Sequence, residues 1–282
     1  MHIAINMDYG KKLLNKKYKI TKEGKEMRET RKNRGISERR KRKAKMKNRI
    51  ITIIQIVLVI LFVYSGVKIF QWYKDNSKSK KLLETAKEAV TIDVDNNIFK
   101  VDFKKLKETN SDTVAWLHVN GVDLDYPVVQ TDNNDYYLNH SYDKSENGAG
   151  WIFADYRNKV DGSDRNLVIY GHNRRDGSMF EPLKQTLEDN WYNNNEDKII
   201  TLETENQTFK YQIFSTYKIE NEDYYITTDF NGNEFEDFVK EIKSRSYINY
   251  GLEVTKDDNI LTLSTCANDT KYRIVVHAKL IK

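Results

Sequence analysis

Residues 50–67, IITIIQIVLVILFVYSGV, run for eighteen positions without a charge, and beyond Lys68 the apolar character resumes as far as Tyr73. A helix rises about 1.5 Å per residue, so this stretch is long enough to cross the hydrocarbon core of a bilayer. Lys68 can snorkel toward the headgroups, and Trp72 and Tyr73 fall where an interfacial aromatic belt is expected. A buried core helix is the alternative. A cleaved signal peptide is opposed by the long segment before the apolar run and by the lack of a small-residue cleavage site after it. Beyond the span, SKSKKLLETAKEAV (77–90) sets Leu82, Leu83, Ala86, Ala89 and Val90 on one face and predicts a short helix leading into the body.

The period then changes. VAWLHV (114–119), LDYPVVQ (124–130), GWIFAD (150–155), NLVIYGH (166–172), KIITLET (198–204), FKYQIFSTYKI (209–219), ILTLSTC (260–266) and YRIVVHAKLI (272–281) read as strands between Asn/Asp/Gly-rich turns. Two helices interrupt them. One is predicted over 176–189, opening with Ser178 and Glu181 in capping-box spacing. The other, over 233–246, groups Phe235, Phe238, Val239 and Ile242. Eight short strands without alternating helices predict a mostly β body, an antiparallel sandwich or a closed barrel.

Charge divides the chain. Residues 1–49 carry nineteen Lys/Arg against five Asp/Glu, whereas 50–282 carry 28 against 37. The basic block ERRKRKAKMKNR (38–49) abuts the span, which predicts a cytoplasmic N-terminus and an exported body. Nucleic-acid binding is the alternative for such a block. Its position against a span favours contact with membrane lipid, and no nucleic-acid partner is expected. The sequence carries no metal-spaced Cys/His cluster and no glycine-rich phosphate loop, so no cofactor or metal is expected.

The one cysteine in the sequence, Cys266, closes a strand. It is either an apolar filler or a lone exported thiol placed for chemistry. A thiol nucleophile needs a base or a positive neighbour. His2 lies in the tail, His118 and His277 sit within strands as structural residues, and His140 lies in a polar loop. His172, in YGHN, leaves the sheet at a strand end, an address that suits a catalytic base. If the last two strands form a hairpin, Arg273 falls nearly opposite Cys266, where it is either a thiolate or oxyanion partner or simply an arginine on a solvated face.

TLSTC followed by YRIVVHAKLI, with LVIYGHN…DGSMFEPLK, WLHVNGVDLDYPVVQTDNNDYYLNH and GAGWIFAD upstream, closely resembles the class B sortases over residues 98–282. The helix at 233–246 between the sixth and seventh strands fits the same family. The resemblance implies a closed eight-stranded β-barrel with a few peripheral helices behind a single transmembrane helix. The implied domains are a cytoplasmic tail (1–49), a signal anchor (50–73), a helical stalk (74–97) and an extracellular catalytic domain (98–282). It further implies a cysteine transpeptidase with Cys266, His172 and Arg273 as the catalytic set, and Ser264 and Thr265 bordering the peptide groove. The partners would be secreted proteins with an NPxTN-like or S/N-PxTG-like sorting signal and an amine of a peptidoglycan precursor. Asn268 and Asp269 receive no role. The alternatives are a pilin-polymerising sortase, a papain-like peptidase and a tethered binding module without activity.

Overall fold

The computed structural model describes residues 2–93, 98–194, 198–220, 222–266 and 271–281; within these, the side chains of 2–14, 92, 93, 98, 99 and 266 are not described. Asn268 and Asp269 therefore lie outside the described residues. Contacts divide the chain into two units, Met1–Ile69 and Phe70–Lys282. A single helix, α1 (His2–Lys87), contains the whole of the described first unit. Its apolar window is wholly unburied, unlike the core helix of a soluble domain, and it is the one helix among the described residues long and apolar enough to cross a membrane.

In the second unit, α1 continues from Phe70 to Lys87 and ends there. The helix expected over 77–90 is thus the last part of a longer one, and Val90 belongs to a strand. A hairpin follows, β1 (Val90–Asp93) with β2 (Ile98–Val101), and the sequence pattern had not suggested it. Next comes α2 (Phe103–Thr109), whose first turn is capped by Asp102 accepting from the Lys105 N–H at 3.0 Å.

Eight strands then close a barrel: β3 (Thr113–Val119), β4 (Leu124–Val129), β5 (Phe153–Ala154), β6 (Asn166–His172), β7 (Ile199–Glu203), β8 (Thr208–Glu220), β9 (Ile260–Cys266) and β10 (Tyr272–Leu280). Around the barrel the order is β10-β8-β7-β3-β4-β5-β6-β9. Most neighbours are antiparallel, as the pattern suggested, but β4 with β5 and β6 with β9 run parallel. Short helices α3 (Asp189–Asn194) and α4 (Glu234–Ser244) lie in the connections.

The helix expected over 176–189 does not form as such. Gly177 and Met179 hold positive φ (81° and 58°), and the Ser178 hydroxyl donates to Asp176 at 2.7 Å rather than capping a helix. Only a 3-10 segment, Glu181–Leu187, follows, with a proline in its first turn.

The long strand β8 serves two cores. Phe209, Tyr211 and Ile213 belong to the main core, whereas Phe214, Tyr217 and Ile219 belong to a second one with Phe235, Phe238, Val239 and Ile242 of α4. The switch comes at a bulge. Ala278 pairs with Ile213 but His277 with Ser215, so Phe214 is an extra residue that inverts the alternation. Beyond the bulge the strand faces α4, where the Ser215 hydroxyl donates to the Ile242 carbonyl at 2.6 Å.

His277 is fully buried in this second layer. Its ring lies between the Thr262 hydroxyl (2.8 Å from Nδ1) and the Tyr217 hydroxyl (2.9 Å from Nε2). Burial pushes its pKa down from 6.5 to about 3. The folded state thus resists a proton that the unfolded chain accepts. The resulting stability is complete above pH 6.5 and is lost as pH falls toward the folded value. At about 1.4 kcal/mol per pH unit, roughly 2 kcal/mol disappears between pH 6.5 and 5. Urea unfolding of the full chain in detergent at pH 7.5 and 5.0 measures this, and His277→Gln is expected to flatten the difference by that amount.

Candidate active site

Parallel pairing of β6 with β9 sets their C-terminal ends at the same edge of the barrel. The register runs from Asn166 opposite Ile260 to His172 opposite Cys266. β10 returns antiparallel along β9, pairing Val275 with Ser264 through Lys279 with Ile260. That ladder ends at Val275 and Ser264, and Arg273 lies two residues before it near the start of β10, on the edge where β9 ends at Cys266. His172, distant in sequence, thus has its backbone on the same rim as Cys266 and the start of β10.

His172 is half-buried, and its setting has a local cause. Asn133 starts a turn by accepting from the N–H groups of Asp135 and Tyr136, both at 2.9 Å. The 3-10 turn Tyr136–Leu138 follows, and its terminal carbonyl, having no partner within the turn, meets His172 Nε2 at 2.7 Å. A carbonyl only accepts, so Nε2 carries the hydrogen and Nδ1 is the nitrogen left to exchange a proton. Burial, chiefly, lowers the His172 pKa from 6.5. The charge of Arg174 works in the same direction, against the Leu138 hydrogen bond.

Two glycines let the backbone close on this residue. A Cβ on Gly150, which has φ +61°, would stand 2.6 Å from His172 Cδ2. One on Gly171 would stand 2.7 Å from the Phe180 ring. Only glycine fits either place. Beneath the rim, the buried Asp155 accepts from Arg157 (Nε 2.8 Å, Nη2 2.7 Å), Tyr170 (2.8 Å) and Asn134 (2.9 Å). Burial alone would raise its pKa, but these hydrogen bonds, with Arg157 foremost, hold it below the usual carboxylate range.

Ser264 and Thr265, implied as borders of a peptide groove, are fully buried. The Ser264 hydroxyl lies 3.0 Å from that of Tyr225, and the Thr265 hydroxyl accepts from the Ile274 N–H at 2.8 Å. Both side chains are held inside the fold, on opposite faces of β9. The other histidines have positions of their own. His118 Nδ1 lies 3.5 Å from Asp125, His140 stacks on Tyr136 with ring centroids 4.0 Å apart, and His277 is interior.

Residues 117–281 match the Sortase domain family. Sortase B of Staphylococcus aureus is 35% identical over 240 residues, covering 83% of this chain and 98% of that relative. Sortase B of Listeria monocytogenes is 34% identical over 235 residues, covering 80% and 94%. The chain belongs to the sortase family, class B. Among solved structures, sortase B from B. anthracis in complex with AAEK1 has a TM-score of 0.65 at 34% identity, covering 74% of this chain and 99% of that one. Sortase B of Clostridium perfringens gives 0.59 at 38%, covering 64% and 100%. This class B sortase is accordingly a cysteine transpeptidase and is membrane-associated, with a single apolar helix near its N-terminus among the described residues. As a sortase it acts on proteins bearing a sorting signal and on amines of peptidoglycan precursors.

Signals for Leu138 and Gly150 were weak in the sequence. A backbone carbonyl leaves no side-chain trace, and one glycine in GAGW reads as a turn.

Proposed function

We propose that Cys266 is the nucleophile, His172 the acid–base residue and Arg273 the oxyanion partner of a membrane-anchored transpeptidation. The observation that carries this reading is the parallel register that sets His172 opposite Cys266. The Cys266 thiolate attacks the threonine carbonyl of an NPxTN-like or S/N-PxTG-like signal. A C–S bond forms, and the carbonyl electron pair moves onto oxygen, where Arg273 stabilises it. Collapse breaks the C–N bond, and the departing amine takes its proton from His172 Nδ1. The peptidoglycan-precursor amine then attacks the thioester, His172 accepts its proton, and the thiolate leaves.

The tail 1–49 lies in the cytoplasm, residues 50–73 span the bilayer, and the chain from 74 onward, stalk and catalytic domain, faces the wall. Tethering raises the effective concentration of two substrates that both arrive at the outer membrane surface. Ser264 and Thr265 act through the backbone that they hold under Cys266.

Mass spectrometry of the full chain incubated with a library of sorting peptides tests the reading. A thioacyl adduct on Cys266 ending in threonine is expected, and its mass identifies the motif. An adduct elsewhere, or none with any Pro-containing peptide, overturns it. Arg273→Ala is expected to lower kcat about 10²–10³-fold, the range for loss of one oxyanion donor, with the adduct forming slowly rather than not at all.

A further inference from the structure

We propose that Arg174 is a positioning residue for His172, through which the turn Asp75–Ser79 of α1 becomes part of the catalytic scaffold. The inference rests on His172 being the acid–base residue. Arg174 follows His172 by two residues and is only 7% exposed. A buried cation is costly unless partners compensate, so its position has to be held by its contacts. It has three, in three directions. Nη2 donates to Asn76 Oδ1 on α1, Nη1 donates to the Gly148 carbonyl at 3.4 Å, and Nε lies 3.4 Å from Asp176.

The contacts converge on the two segments that hold the imidazole. Residues 138–150 supply both the Leu138 carbonyl and the close-packed Gly150. The loop after His172 returns at once to its backbone, with the Phe180 N–H donating to the His172 carbonyl at 2.9 Å. The same turn of α1 also grips the first segment directly. Asn147 Nδ2 donates to the Asp75 carbonyl and to the Ser79 hydroxyl, both at 3.2 Å, and Lys78 pairs with Asp143 at 2.8 Å. Asn147 in turn shapes the approach to the ring, since the Gly150 N–H donates to its carbonyl at 3.0 Å and the Ala149 N–H to its side chain at 2.8 Å. Arg174 is the link that ties this segment, the loop after His172 and the helix into one frame. A planar fork donates to two acceptors at fixed angles while its Nε faces the Asp176 carboxylate without a hydrogen bond, an arrangement a lysine ammonium cannot reproduce.

A misplacement of about 1 Å at a reacting group costs on the order of 100-fold in rate. In the full chain in detergent micelles, Arg174→Met and Arg174→Lys are each expected to lower kcat about 10–100-fold, counted per alkylatable Cys266, with KM within twofold. Asn76→Ala is expected to show a smaller loss of the same kind, and Asn76→Asp, which keeps the acceptor oxygen, to restore the rate. The ¹⁵N resonances of the His172 ring should move from a fixed Nε2–H pattern toward that of a mobile imidazole in Arg174→Met. If Arg174→Met melts far below the wild type, the Asn76 pair decides. The proposal falls if His172→Ala is inactive while Arg174→Met and Asn76→Ala keep wild-type kcat and an unmoved His172 ring signal. Wild-type turnover in His172→Ala would instead remove the acid–base reading on which the proposal rests.

Discussion

Cys266→Ala is expected to abolish transpeptidation, with a fall in kcat of at least about 10⁴-fold, the scale on which loss of a covalent nucleophile removes the whole catalytic route. No other thiol can substitute, because the sequence contains one cysteine. The substitution removes a single sulfur atom at a strand end, so the melting temperature should stay within a few degrees of wild type. Peptide binding, read by fluorescence anisotropy of a labelled sorting peptide, should also persist, since binding and bond cleavage use different groups. The decisive comparison is rate against adduct. Wild type accumulates a thioacyl species and the variant shows none. Retention of a tenth of the activity would show that the acyl group is carried elsewhere.

His172→Ala is expected to lower kcat/KM by about 10²–10⁴-fold, the usual worth of a positioned acid–base residue. Its pH profile separates this role from a structural one. Transfer needs one proton shared between thiol and imidazole, so activity is confined between their two pKa values. Because burial holds His172 below 6.5, the acid limb of the wild-type profile should lie below that pH. In His172→Ala the bell should be lost, and the residual activity should simply rise with pH as the Cys266 thiol ionises, since the thiolate attacks and no imidazolium is left to deprotonate. An acid limb that persists unchanged in the variant would assign it to another group.

Much of the barrel was readable because its strands are short apolar, β-branched and aromatic runs bounded by polar turns. NLVIYGH and ILTLSTC give β6 and β9 to the residue, and the apolar spacing of Phe235, Phe238, Val239 and Ile242 gives α4. Such runs report which residues are strand, not which strands are neighbours. The parallel β6–β9 pair, on which the rim depends, therefore had no signature. The helix expected over 176–189 failed for a local reason: Gly177 and Met179 take positive φ and Pro182 follows, so the backbone turns where the apolar spacing would have it coil. The contribution of α1 was hidden differently. Its apolar residues mark one face, but the contacts that reach toward His172 come from Asp75, Asn76, Lys78 and Ser79, polar residues that a search for hydrophobic periodicity passes over. Ser264 and Thr265 stand next to Cys266 in sequence, and the pleat turns them to opposite faces of β9, yet both are buried because the Tyr225 hydroxyl meets one and the Ile274 N–H the other.

The parallel pairing of β6 with β9 also fixes when the enzyme can first act. His172 and Cys266 are separated by the whole of β7, β8 and α4, and β9 takes its place between β6 and β10. Contacts between such distant segments form late, after the closure of long loops. A chain synthesised N-terminus first acquires its imidazole, its helical frame and most of its barrel wall while the sulfur is still to come. The β6–β9 pairing thus waits until residues 260–280 are made, and the rim that carries His172 and Cys266 closes only when the barrel does.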